Sequence, residues 1–242
     1  MNIIKIKSID STNVFLKELS KKQILEEETV VITESQTAGR GQAGNHWESE
    51  SGKNITCSLL LYPTFLPIKQ NFLLSKIVAL GVKDSLENWV ESVTIKWPND
   101  IYIDSRKIAG ILIENEFQGN EFLQSVIGIG LNVNQEIFTS NAPNPVSLKQ
   151  ILKKEIDLDV LLETMIERII HWYDVLQKGN FELIAQAYSD ALFRKSGFHA
   201  YKDQKGQFQA QIESVGDNGL LCLKTDTGEN RCYAFKEVSC II

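Results

Sequence analysis

An α+β fold is predicted for this chain: a mixed sheet flanked by helices over residues 1–195, followed by a small β-barrel over residues 196–242. Three observations carry that prediction. Stretches with apolar residues at helical spacing flank a meander of short β-branched runs. The character changes after Ser196-Gly197, where only short alternating runs remain. With 43% hydrophobic and 23% charged residues in 242, the composition is globular and the chain is long enough for a core of ordinary size.

Asp10 and Ser11 are good N-cap types, and residues 11–20 place Val14, Phe15 and Leu19 on one face, predicting a short opening helix. Residues 29–33 and 55–62 are β-branched or apolar and read as strands. The polar, glycine-bearing stretch between them, residues 34–53, is long for a connection and therefore a candidate functional loop. Residues 72–90 repeat apolar side chains at helical spacing behind Asn71, a plausible cap, and predict a long core helix. Residues 93–96, 101–103, 108–117 and 121–133 follow as strands, with turn chemistry at 104–106 and 118–120. Two more helices are expected over 159–178 and 181–194, the first ended by Gly179 and the second capped by Asn180. The runs 208–215, 220–225 and 231–235, separated by glycine turns, suit a small barrel.

Twenty-five basic residues against 31 acidic ones give a net charge of -6, so no nucleic-acid partner is expected. The start Met1-Asn2-Ile3-Ile4-Lys5 lacks the charged and apolar regions of a signal sequence. No run approaches the roughly 18 apolar residues of a membrane span. A cytoplasmic protein without a membrane partner is the expectation. Cys57, Cys222, Cys232 and Cys240 form no C-x-x-C pair and have no His at ligand spacing, so free thiols are expected rather than zinc.

Three segments hold more polar and glycine residues than strands need. In residues 34–47, ESQTAGRGQAGNHW, Gly39, Gly41 and Gly44 allow close backbone approach to a ligand, and Arg40 adds a cationic fork. A flexible surface loop explains the same residues. In residues 96–100, KWPND, Asn99 and Asp100 could orient a hydrated magnesium ion, and Lys107 could return across a hairpin to the same place. A plain Pro-Asn-Asp turn with a solvated lysine is the alternative. In residues 127–134, IGIGLNVN, Gly128, Gly130 and Asn132 share one strand face, cleared either for a flat ligand or for the opening helix.

Taken together, Asp10-Ser11-Thr12-Asn13 before a helix, QTAGRG at 36–41 leading to Trp47, KWPND at 96–100 with Lys107-Ile-Ala-Gly110, and GIGLN at 128–132 resemble the biotin protein ligases in residues, order and spacing. The resemblance covers the whole chain. It implies a catalytic domain related in fold to class II aminoacyl-tRNA synthetases and a C-terminal barrel similar to an SH3 domain. It also implies ATP-dependent formation of biotinyl-AMP and transfer of biotin to a lysine of a biotin carboxyl carrier protein or domain.

The family's roles map onto this chain as follows. Ser11, Thr12, Asn13 and Gln36 would hold the ureido ring of biotin, which needs donors and acceptors when buried. Gly110 and its strand would line the tail, with Gly41 and Gln42 also on the biotin side. Lys107, the leading catalytic candidate, would sit between the biotin carboxylate and the α-phosphate and offset two anions. Arg40 would contact both substrates and the backbone of Gly39 and Gly41 would hold oxygens, while Trp47 would close over adenine. Asn132 would read the adenine edge, and Asn99 with Asp100 would serve ATP and magnesium. Asp100 is also a candidate acceptor for the carrier lysine's proton.

Many bacterial members carry further basic residues in the glycine loop where this chain has Gln42 and Asn45, so faster loss of biotinyl-AMP is expected. Members that double as repressors carry an N-terminal helix-turn-helix ahead of the Ser11 region. Since this sequence starts at that region, repression is not expected. A homodimer is left open. The rival readings are a lipoate or octanoate ligase of the same superfamily and a non-catalytic protein that binds biotin or its adenylate.

Overall fold

The computed structural model describes residues 2–140 and 144–242; Met1, part of the start read above, lies outside them. The chain opens with strand β1 (Asn2–Ile9), helix α1 (Thr12–Lys22) and strand β2 (Thr29–Gln36). Strands β1 and β2 are parallel, paired from Asn2 with Thr29 to Ile9 with Gln36, and α1 is their crossover. Strand β1 was not expected. Its isoleucines alternate with Lys5 and Lys7 on a half-exposed edge, and pairing with β2, rather than burial, orders it.

Next come β3 (Ile55–Leu61), α2 (Phe72–Glu87), β4 (Val93–Lys96), β5 (Asp100–Ile103), β6 (Arg106–Gln118) and β7 (Glu121–Leu131). Helices α3 (Leu148–Leu152), α4 (Leu158–Gln177) and α5 (Phe181–Asp190) follow. The seven strands lie in the order β1-β2-β3-β7-β6-β5-β4, and every pairing except β1 with β2 is antiparallel, so the sheet is mixed as expected. The short helix α3 is held by a capping box between Ser147 and Gln150 and was not anticipated. At the start of α4 the Asp157 carboxylate accepts from the amides of Asp159 and Val160.

Strand alternation divides the core between the two faces. Val30, Leu59, Leu61, Ile127, Ile129 and Leu131 point to the side covered by α2, α4 and α5, where the main core lies. Val31, Leu60 and Val126 point to the opposite side and pack on Leu16 of α1. Each fully buried leucine contributes about 2 kcal/mol of transfer free energy. Helices α2 and α4 approach closely at Gly81, where an added Cβ would stand 2.6 Å from the Ile169 Cα.

Strands β8 (His199–Asp203), β9 (Gly206–Val215), β10 (Leu221–Thr225), β11 (Asn230–Tyr233) and β12 (Ser239–Cys240) form a second, antiparallel sheet in the order β11-β10-β9-β8-β12. It is a small β unit with its own core of Tyr201, Ala210, Leu221, Leu223 and Val238. The short β8 and β12 were not foreseen. Several bonds fasten this unit to the larger one. The nearly fully buried Lys76 ammonium of α2 meets the Asp217 carboxylate at 2.7 Å, and Trp97 Nε1 donates to the Gly219 carbonyl at 3.1 Å. Arg194 donates to the Ile241 carbonyl at 2.6 Å.

The expectation of four free thiols is corrected for two of them. Cys222 and Cys232 stand opposite each other on β10 and β11, with Cα atoms 4.1 Å apart, and are joined as a disulfide. The register of the hairpin makes them neighbours, which a spacing of ten residues does not announce. Cys57 and Cys240 are free. No helix of the described residues is long and apolar enough to cross a membrane.

Candidate functional site

On the α1 side of the large sheet, roofed in part by the second sheet, lies a cavity of about 580 Å³. Residues from all three polar segments line it: Ser11, Thr12, Asn13 and Gln36; Arg40, Gly41, Gln42 and Trp47; Asn99, Asp100, Lys107, Gly110, Gly128 and Gly130. Two candidates are not on its wall. Gly39 is buried behind the glycine loop, where an added Cβ would stand 2.6 Å from the Trp47 carbonyl oxygen. Asn132 is 3% exposed; its Nδ2 donates to the Val146 carbonyl at 3.2 Å while its Oδ1 is buried with no partner among the described residues.

One end of the cavity is a neutral polar cluster built at the start of α1. Ser11 occupies the N-cap position, yet its hydroxyl makes no capping bond and stays on the cavity wall. The Gln36 Oε1 accepts from the Thr12 amide at 2.8 Å and its hydroxyl at 3.1 Å, which turns Nε2 the other way, beside Gly39. Asn13 Nδ2 donates to Glu114 at 2.8 Å, so its Oδ1 faces the Ser58 hydroxyl at 2.5 Å. Ser58, fully buried on β3 and 2.7 Å from Thr12 Oγ1, is a member of this cluster that sequence reasoning missed. Only the alternation of β3 could have found it, since Thr56 and Ser58 are its polar, inward positions.

The glycine loop closes on itself. Arg40 pairs with His46 in an antiparallel bridge, the Trp47 amide donates to the Gly39 carbonyl at 3.1 Å, and the Gly41 amide donates to the Asn45 carbonyl at 2.7 Å. The Gly41 amide, assigned to substrate oxygens on the sequence, is thus engaged inside the loop. Trp47 is brought down onto the sheet. An added Cβ at Gly130 would lie 2.2 Å from its indole, and one at Gly110 3.0 Å, so the cross-strand pair Gly110 and Gly130 clears a seat for Trp47. At Gly128 the added Cβ would lie 2.5 Å from Asn13 Oδ1. At Gly128 the cleared face takes Asn13 of the opening helix, the second of the two alternatives weighed for it, whereas at Gly130 it takes Trp47 of the glycine loop, and both glycines still line the cavity.

The other end is charged. The β5–β6 hairpin returns Lys107 to Asp100, as anticipated, with Nζ 2.6 Å from the carboxylate and both side chains about one-fifth exposed. The ammonium also stands 5.6 Å from the Trp47 ring centre. Arg40, Lys96, Lys107 and Lys236 line the cavity against a single carboxylate, Asp100, among the described residues. That imbalance favours an anionic guest. Asn99 is partly spent on scaffolding: its Nδ2 donates to the Ile111 carbonyl at 2.6 Å and its carbonyl accepts the Ile111 amide. The second sheet supplies Tyr201, Phe235, Lys236 and Cys240, none of which the sequence pointed to.

No group of three or more His, Cys, Asp or Glu that could hold a metal exists among the described residues. With Asp100 the one carboxylate, magnesium fits only as a companion of substrate phosphates, keeping most of its ligands from phosphate and water.

The sequence and architecture match known proteins. The chain is 30% identical over 217 residues to the bifunctional ligase/repressor BirA of Bacillus subtilis, covering 86% of this chain and 65% of that one. The chain thus spans somewhat less than two thirds of that relative. It is 27% identical over 207 residues to a biotin--[acetyl-CoA-carboxylase] ligase of Paracoccus denitrificans, covering 82% of this chain and 85% of that one. The solved structure of a biotin protein ligase from Aquifex aeolicus in complex with biotin and ATP superposes with a TM-score of 0.80 at 24% identity, over 99% of this chain and 98% of that one, and shows the shared fold. The sequence model of the biotin/lipoate A/B protein ligase family matches residues 5–132, more than half of the chain, and the protein belongs to that family.

Proposed function

We propose that the protein is an ATP-dependent biotin ligase that forms biotinyl-AMP and transfers biotin to a lysine of a biotin carboxyl carrier protein or domain. The observation that carries this reading is one cavity with a neutral hydrogen-bonding cluster at one end and the Lys107–Asp100 pair at the other. A ureido head and a carboxylate at opposite ends of one small acid match those two chemistries. Ser11, Thr12, Asn13, Gln36 and Ser58 would serve the head; Gly110, Gly41 and Gln42 would flank the tail, and Trp47 would close over adenine. Asn132, with its unpartnered buried Oδ1, would accept from an adenine amino group.

In the first step a carboxylate oxygen of biotin attacks the α-phosphorus and pyrophosphate leaves. No protein nucleophile is needed, so the work of the chain is positioning and charge stabilisation. Lys107 and Arg40 would offset the repulsion between carboxylate and phosphate. Magnesium, when bound with ATP, would screen the triphosphate, with Asp100 as its protein ligand. In the second step the carrier amine attacks the anhydride carbonyl, AMP leaves, and the amine's proton passes to a base. Asp100 would take it once Lys107 turns toward the phosphate.

The domain boundary belongs to the same reading: residues 1–195 catalytic, and residues 196–242 an SH3-like barrel closing the site, with a cytoplasmic location. Biotin-dependent exchange of labelled pyrophosphate into ATP, with lipoate as control, tests the reading. Exchange with biotin alone is expected; exchange with lipoate alone would move the substrate, and none with either would leave a binding protein.

A further inference from the structure

The segment that leaves Trp47 and the segment that follows β7 run side by side, because β3 and β7 are neighbours with Ile55 opposite Leu131. Side chains, more than backbone, join them. The Glu48 carboxylate accepts from the Thr139 amide at 2.8 Å and its hydroxyl at 3.0 Å on Oε1, and from the Ser140 amide at 2.8 Å on Oε2. Beneath it lies Gln135, 1% exposed, whose Nε2 reaches Glu48 at 3.3 Å. The Gln135 Oε1 accepts from the Glu50 amide at 3.0 Å and from Asn54 Nδ2 at 2.6 Å, and Asn54 Oδ1 accepts the Val133 amide at 2.9 Å.

Thr139 and Ser140 are exposed, and the core does not need them. Fixing such residues costs backbone entropy, which hydrogen bonds to a charged group are strong enough to offset. Burial of Glu48 alone would raise its carboxyl pKa, but the bonds from Ser140 and Thr139 outweigh that and hold it at about 2. It is therefore ionised wherever an ATP-dependent enzyme works. What the two segments carry is Trp47, one residue before Glu48, and Asn132, three residues before Gln135.

We infer that Glu48, backed by Gln135 and Asn54, is a positioning residue for the nucleotide half of the site, clamping the Trp47 segment to the Asn132 segment without touching substrate. This rests on the ligase reading for its substrate, but the clamp is a property of the fold and is measurable separately. From Asn54 the network continues to Ser49 Oγ at 3.3 Å and Thr56 Oγ1 at 3.4 Å beyond it, but it makes no bond to Thr12, Asn13 or Ser58 among the described residues, so the biotin half should feel its loss much less.

The test uses the full-length protein and the variants Glu48→Ala and Glu48→Gln. Hydrogen exchange of peptides spanning residues 45–50 should accelerate in Glu48→Ala and, to a smaller degree, in Glu48→Gln, which keeps one acceptor oxygen. In pyrophosphate exchange the KM for ATP should rise about tenfold in Glu48→Ala, with kcat and the KM for biotin within about twofold of wild type. Unchanged exchange at 45–50, or KM values for ATP and biotin that rise together, would overturn the inference. If the unaltered protein showed no exchange with biotin, the ligase reading would fall, and the hydrogen-exchange arm would still decide whether the clamp exists.

Discussion

Lys107 and Asp100 form an ion pair at 2.6 Å across the β5–β6 hairpin, at the charged end of the cavity. Removing the ammonium leaves the carboxylate without its counter-ion and facing incoming anions. Lys107→Ala should lower the rate of pyrophosphate exchange by about a hundredfold or more, the size of effect seen when one preorganised charge-stabilising donor is lost. Full activity in that variant would remove Lys107 from the chemistry.

Gly130 supports Trp47 by lacking a side chain. Gly130→Ala puts a methyl group 2.2 Å from a rigid indole, so the ring must leave its seat. The KM for ATP should rise by about tenfold or more while the protein stays folded, since adenine stacking is worth about 1–3 kcal/mol. Steady-state kinetics with circular dichroism as the folding control would read this; an unaltered KM would separate Trp47 from the nucleotide.

The Lys76–Asp217 pair ties α2 to the turn before β10. Asp217→Ala leaves the Lys76 ammonium, 3% exposed, without its partner and should destabilise the protein by about 3 kcal/mol in urea unfolding. Asp217 is more than one-third exposed, which places the expectation at the lower end of the range for buried pairs. Lys76→Met, which removes the charge and keeps the stem, should cost less. Equal losses in both variants would refute the role of the stranded charge.

Thiol chemistry should separate the cysteines. Burial pushes the Cys57 thiol up to about 12, so at pH 8 almost none of it is thiolate. Native alkylation should label Cys240 and spare Cys57, and full denaturation without reductant should expose two thiols, leaving Cys222 and Cys232 paired. Because the folded thiol titrates above the unfolded one, its contribution to stability is present below pH about 9 and is lost as pH rises toward 12. Mass spectrometry of the labelled peptides gives the answer.

Gln42 and Asn45, where the resemblance leads one to expect cations, both line the cavity. Restoring charge with Gln42→Arg and Asn45→Arg together should slow release of biotinyl-AMP about tenfold, the effect of one added charge-assisted hydrogen bond. Single-turnover release measured by rapid filtration checks it, and an unchanged rate would mean that retention is set elsewhere.

Local pattern determined much of this protein. Helical spacing located α1, α2, α4 and α5 within a few residues, and β-branched runs located β2 to β7, because burying one face of a helix or strand leaves a period in the sequence. The three polar segments were conspicuous for the opposite reason: glycines, Asn and Asp are poor strand material, so their presence needs an explanation outside strand stability. The edge strand β1 left little period because its order comes from a partner strand. Only the tertiary structure brought Ser58 under Thr12, turned the glycine-cleared face into a seat for Trp47, joined Cys222 to Cys232 and set the second sheet over the cavity. Each of these depends on which residues face one another across strands distant in the chain, and register and packing, rather than composition or local spacing, decide that.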